Sequence, residues 1–162
     1  MSKPVAYKNG RIRDVVIKPL TKYLDERGWL AELFRSDELP EGFLPEMAYI
    51  SMTLPGVARG PHEHVAQTDY FCFIGPANFK VYLWDARKDS PTYGTKQLFY
   101  AGVDAPLSLL IPPGVVHAYK NISQESGIVF NTPDRLYAGT AKKQSVDEIR
   151  HEDTVGSPFT LD

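Results

Sequence analysis

The segment Arg59–Asp69 reads RGPHEHVAQTD, setting His62 two residues from His64 and closing on Asp69. In an extended chain, residues two apart point to one face, so the two imidazoles share a side if this segment is a strand. A barrel strand offers an inside and an outside, and two inward imidazoles are well placed to grip one metal ion or one ligand. Glu63 lies between them and points the other way, where it is expected to be solvated or paired. A third histidine, His117, follows a PPG turn in IPPGVVHAYKN, Ile111–Asn121. His151 is the fourth and stands apart.

Imidazole is a favoured ligand for first-row transition metals. His62, His64, Asp69 and His117 are therefore candidate ligands of one divalent metal ion, Zn, Fe, Mn or Ni. Imidazole is also the natural general base near neutrality. A metal-bound histidine has its lone pair engaged, so His62 serves as ligand or as base, not both.

Around these segments lie short runs rich in β-branched and aromatic residues, bounded by thirteen prolines and twelve glycines. RDVVIKPL, WLAELFR, EMAYISMTL, TDYFCFIG, NFKVYLWDA, KQLFYAG, LSLLIP, HAYKNIS and GIVFNTP all read as strands. Helix signals are few: one turn in SDELPEGF and a candidate in AKKQSVDEIRHED. Many short strands at regular spacing predict an all-β sandwich or barrel. At 162 residues the chain is one domain by length, large enough to bury a core without staples. A net charge of -2 leaves no basic excess for nucleic acid or a membrane surface. The single cysteine, Cys72, excludes an internal disulfide framework and suits a reducing, cytoplasmic setting. No apolar run is long enough to span a bilayer, and MSKPVAYKNG is not a secretory signal.

The two histidine segments resemble the cupin motifs. PPGVVHAYKN fits PxGxxHxxxN, and GVARGPHEHVAQTD fits most of the other motif, with Asp69 in place of the usual glutamate. That resemblance implies a jelly-roll β-barrel with its site in the barrel mouth and short peripheral helical turns. A narrower resemblance runs through DERGWLAELFR, GVARGPHEH, WDARKDSPTYG and LLIPPGVVHAYKNIS. Their order and spacing are similar to those of the dTDP-4-dehydrorhamnose 3,5-epimerase family, over a core of about 12–137 with a C-terminal extension at 138–162.

The family resemblance implies proton abstraction α to the carbonyl of a nucleotide-linked 4-keto sugar. His62 matches the base, and His117 and Tyr137 match pocket residues. Arg27, Glu32 and Arg59 match the residues that recognise the nucleotide and its phosphates, and Tyr119 is a further pocket candidate. It also implies a homodimer, with Arg27 and Glu32 reaching the neighbour's pocket. Four positions depart from the family. Asp69 stands where the family has a lysine, and Phe130 where it has the tyrosine that donates a proton. Met47 and Tyr49 replace a glutamine and an asparagine. These departures keep two other classes in view: a metal-dependent cupin such as a dioxygenase or small-sugar isomerase, and a non-catalytic sugar-binding cupin.

Other residues are expected to be structural. Trp29, Trp84, Tyr82 and Phe73 are read mostly as core, Arg87 as a loop clamp on Asp85 or Asp89, and Cys72 as a small buried hydrophobe.

Overall fold

Alternating apolar and polar residues give each strand one face for the core and one for the exterior. The computed structural model describes residues 5–162. In chain order the strands are β1 (Lys8–Asn9), β2 (Val16–Pro19), β3 (Tyr23–Asp25), β4 (Gly28–Leu30), β5 (Tyr49–Thr53), β6 (Ala58–Glu63) and β7 (Asp69–Phe73). They continue with β8 (Asn78–Asp85), β9 (Thr95–Gly102), β10 (Leu107–Ile111), β11 (Val115–Asn121), β12 (Gly127–Asn131) and β13 (Ile149–Arg150). Two sheets face each other, one ordered β1-β9-β8-β11-β6-β13 and the other β2-β10-β7-β12-β5. The β3–β4 hairpin forms a small sheet of its own. This is the expected all-β barrel architecture.

Between the sheets lies one apolar cluster. Phe71, Phe73, Leu107, Leu109 and Val129 come from the five-stranded sheet, and Phe79, Val81, Leu83, Val115 and Tyr119 from the other. Phe73, Phe79, Leu83 and Leu109 have no accessible surface. Each such side chain stabilises the fold by roughly 1.5–3 kcal/mol relative to exposure. The outer faces are covered as well. Tyr82, Trp84, Val116 and Ala118 pack beneath Phe159, and Cys72, Tyr70 and Leu110 beneath Phe43. Cys72 is thus the buried hydrophobe expected.

Four local expectations are corrected. AKKQSVDEIRHED contains no α-helix; after the 3-10 turn Thr140–Lys142 it runs extended and adds β13 to the edge of β6. Ala141, at φ 55°, breaks even that turn. This edge strand, with Phe159 packed on Tyr82 and Trp84, fastens parts of residues 138–162 to the barrel. WLAELFR is strand only through Leu30, because it pairs with β3 alone. Trp29 is not core; it is 51% exposed on that hairpin, with Lys22 Nζ 4.9 Å from its ring centre. SDELPEGF forms a turn, with the Glu38 N–H on the Arg35 carbonyl, and no helix.

Candidate active site

The closed part of the barrel is filled by aromatic and branched side chains. Its mouth carries polar side chains among apolar ones and opens into a cavity of about 1430 Å³. Arg59, His62, His64, Tyr119 and Tyr137 all line it. His62 on β6 lies opposite His117 on β11 in the antiparallel register, and the same pair of strands shifts register before Tyr119. That close approach needs a glycine. Gly60 sits at φ 80°, and a Cβ there would stand 2.5 Å from the His117 carbonyl oxygen.

His64 lies one residue beyond β6. Its backbone is held by the PPG turn, where the Gly114 N–H donates to the His64 carbonyl at 2.9 Å. Its ring is held from the far end of the chain, with Nδ1 on the Asp147 carbonyl. The Asp147 carboxylate accepts the N–H groups of Val65, Ala66 and Gln67 at 2.7, 2.9 and 2.8 Å. Asp147 thus ties the segment after Lys142 to the loop that carries His64.

The three ring centres lie 4.4 to 5.9 Å apart. One nitrogen from each of His62, His64 and His117 lies within 4.8 Å of the others, so the three can hold one metal ion. Asp69, expected as a fourth ligand, falls outside that mutually close set. It reaches across from β7 in the facing sheet and puts Oδ2 3.1 Å from His64 Nε2 and 3.2 Å from His117 Nε2. Its other oxygen, Oδ1, accepts from Gln67 and Asn131 at 2.9 and 2.8 Å.

The hydrogen bonds of this corner are incomplete. His117 Nδ1 lies 3.0 Å from the Val115 carbonyl, and His64 Nδ1 faces the Asp147 carbonyl. A carbonyl only accepts, so both Nδ1 atoms carry hydrogen. Each Nε2 of a neutral ring then holds a lone pair; both face Asp69 Oδ2, and that of His64 also lies 3.3 Å from the Gln67 amide nitrogen, a donor. Asp69 Oδ2 and His117 Nε2 are buried without a hydrogen-bond partner. An acceptor-only trio of this kind favours a positive charge, carried by a proton on a ring or by a cation.

The electrostatics divide the histidines. Burial opposes charge on His64, but Asp69 and Asp147 outweigh it and raise the imidazole to about 9. Burial and the neighbouring His117 push His62 down to about 2, so it is neutral with a free lone pair. Burial would raise the Asp69 carboxyl, but the two imidazoles hold it well below the usual carboxylate range.

Other expected residues lie elsewhere. Glu63 points to the outer face and meets His151 Nε2 at 2.8 Å. Arg87 is a clamp on Asp85 and Asp14 and does not touch Asp89. Arg27 pairs with Asp25 on the β3–β4 hairpin with its side chain 84% exposed. Glu32 lines a small separate hollow of about 110 Å³ beside Lys18 and Tyr70. Within one chain, neither Arg27 nor Glu32 joins the cavity of the histidines. Phe130 does not face the cavity either, because it packs against the outer cluster of Cys72 and Tyr70.

Ser51 and Asp147 at the cavity, and Asn131 buried behind it, were not singled out from sequence, and Tyr49 was named only as standing in place of a family asparagine. Strand alternation in YISMT would have put Tyr49 and Ser51 on one face, whereas nothing local marks Asp147. Arg59 and Arg135 also line the cavity. Arg59 donates to Thr53 Oγ1 at 3.0 Å and to the Met52 carbonyl at 2.6 Å, and Arg135 to the Ala66 carbonyl at 2.9 Å. Among the described residues these guanidinium groups rest on hydroxyl and carbonyl oxygens and not on carboxylates.

Comparison with known proteins agrees with this architecture. A chain described as a dTDP sugar isomerase from Desulfovibrio desulfuricans superposes with a TM-score of 0.80 over 92% of this chain and 91% of its own, at 23% identity, a likeness of fold. The "Probable low-salt glycan biosynthesis epimerase Agl13" of Haloferax volcanii is 40% identical over 128 residues, 78% of this chain and 81% of the relative. The "Spore coat polysaccharide biosynthesis protein SpsL" of Bacillus subtilis is 41% identical over 114 residues, 70% of this chain and 74% of the relative. The model of one family matches residues 9–154, from the first strand through the Asp147 segment that closes the site. With barrel, histidine pair and closing segment all inside that match, the chain belongs to the dTDP-4-dehydrorhamnose 3,5-epimerase family.

Proposed function

We propose that this protein epimerises a nucleotide-linked 4-keto sugar, with His62 as the base. The observation that supports this most directly is a largely buried imidazole opening on a large cavity, in a chain of an epimerase family. Hydrogens on the carbons flanking a ketone are acidic because the resulting carbanion is an enolate. His62 accepts that proton. An enolate forming beside it restores the basicity that burial removes, since opposite charges favour the imidazolium.

The enolate oxygen requires positive charge nearby. The family's lysine is replaced here by Asp69, and the protonated His64 beside Asp69 supplies the charge. Arg59 and Arg135, which have no carboxylate among their partners above, suit the diphosphate. A second copy of the chain completes the assembly in this reading. The exposed apolar residues Leu24, Trp29 and Leu30 on the β3–β4 hairpin provide the contact, and Arg27 and Glu32 then enter the neighbour's cavity. Light scattering at twice the monomer mass supports this, and a monomer refutes it. A cytoplasmic setting and a role in supplying sugars for glycan assembly belong to the same reading.

The acceptor-only trio favours one further reading, in which the positive charge is a divalent transition metal on His62, His64 and His117. Such an ion supplies Lewis-acid polarisation of the carbonyl, and His62 is then not the base. Zinc, iron, manganese and nickel are the candidates. Metal analysis of protein purified without chelator separates the readings. About one ion per chain, lost in His64→Ala, supports the metal.

The reaction itself is tested with dTDP-4-keto-6-deoxyglucose in deuterium oxide. The protein is expected to place deuterium at the carbon next to the ketone and to invert it. His62→Asn is expected to lose both by about 1000-fold. Full uptake by His62→Asn overturns the assignment of the base.

A further inference from the structure

Inversion requires a proton donor on the side of the sugar carbon opposite the base. Tyr49 stands on β5 of the five-stranded sheet, and His62 on β6 of the six-stranded sheet, so they belong to different walls of the cavity. Tyr49 pairs in register with Asn131 and lines the cavity, 43% exposed. Asn131 has no accessible surface. Its Oδ1 accepts the Tyr70 N–H at 3.0 Å, which fixes Nδ2 as the donor. Nδ2 then donates to Asp69 Oδ1 and to the Tyr49 hydroxyl, each at 2.8 Å. Flipping the amide would lose the bonds to the Tyr70 N–H and to Asp69 Oδ1. The Tyr49 oxygen is therefore an acceptor, and its own O–H has no acceptor among the described residues.

We propose that Tyr49 is the proton donor of the epimerisation. The proposal rests on the epimerase reading above. His62 Nε2 or Nδ1 takes the α-hydrogen as a proton, leaving the enolate. The Tyr49 O–H bond breaks, its proton bonds to that carbon from the other face, and the ketone reforms. The phenolate left behind and the imidazolium of His62 exchange one proton through solvent, which restores both groups. Burial, with the Asp69 charge adding to it, holds the Tyr49 phenol above its ordinary value, so it stays protonated until the carbanion forms. The Asn131 N–H on its oxygen then stabilises the phenolate.

Two other tyrosines fit less well. The Tyr119 hydroxyl shares a hydrogen bond with Ser51 Oγ at 3.0 Å and belongs to β11, in the same sheet as His62. Tyr137 is at the rim and 56% exposed.

The test follows dTDP-4-keto-6-deoxyglucose in deuterium oxide by NMR, reading deuterium uptake and inversion separately. Tyr49→Phe is expected to cut inversion at least about 100-fold, while uptake into sugar of unchanged configuration stays within about threefold. Tyr119→Phe and Tyr137→Phe, whatever their overall activity, are expected to keep the ratio of inversion to uptake within about fivefold of the unaltered protein. Inversion by Tyr49→Phe within threefold of the unaltered protein overturns the assignment, and so does an equal fall of uptake and inversion. If the unaltered protein takes up no deuterium, the epimerase reading falls first and this proposal with it.

Discussion

Two carboxylates in this barrel are almost equally hidden and differently surrounded. Asp85 and Asp69 are 0% and 1% exposed. Asp85 is met by donors: Arg87 Nε and Nη2 at 2.9 and 3.0 Å, and the hydroxyls of Ser90 and Thr92, each at 2.6 Å. Arg87 continues to Asp14 at 3.1 Å, and its stem passes Gly114, where a Cβ would stand 2.7 Å from Arg87 Cγ. Every lone pair that matters is used, so this carboxylate holds a loop. Asp69 has one oxygen satisfied and the other aimed at two imidazole lone pairs. A half-satisfied buried carboxylate costs stability, and it stands where the cavity begins. The difference separates a clamp from a site: burial is shared, and hydrogen-bond satisfaction distinguishes them.

Substitutions test that contrast. Asp85→Ala strands the Arg87 guanidinium and is expected to lower the unfolding free energy by about 3 kcal/mol, measured by urea titration. The folded fraction should keep its turnover. Asp69→Asn should show the reverse pattern. Its turnover is expected to fall about 100-fold, because the charge that holds His64 protonated is gone. Its stability should stay within about 1 kcal/mol, since an amide N–H can donate to an Nε2 lone pair. Equal stability losses in both variants would break the comparison.

Acid provides the smallest and sharpest test. Burial would raise the Asp85 carboxyl, but Arg87, Ser90 and Thr92 outweigh it and hold it at about 2, below its ordinary value of 3.8. A carboxyl depressed on folding stabilises above its unfolded pKa and loses that contribution as pH falls through the folded one. Stability on the order of 2 kcal/mol is therefore expected to disappear between about pH 4 and pH 2. In Asp85→Asn this part of the acid limb should be missing from the pH dependence of thermal unfolding.

Much of this was legible in the chain. The strands survive as read wherever alternation is strong, as in NFKVYLWDA and TDYFCFIG. WLAELFR alternates too, but its partner strand is only three residues long, so pairing and not pattern decides its length. AKKQSVDEIRHED has helix-forming residues but runs extended, because the free edge of β6 offers it hydrogen bonds. The histidine cluster was legible because HxH and PPGVVH are local patterns. Asn131 and Asp147 were not, because their importance comes from partners 62 and 80 to 83 residues away.

The sequence alone determined the all-β class, the family resemblance, the three clustered histidines and the role of Arg87 as a loop clamp. Each rests on residue types at short spacing, where strand periodicity and turn chemistry operate directly. Only the tertiary structure decided which face each side chain takes. It turned Phe130 outward and Tyr49 inward, brought Asp147 back to His64, and left Asp69 facing lone pairs. Those outcomes depend on register between strands distant in the chain. A shift of one residue in register moves a side chain to the opposite face, and local sequence does not encode that choice.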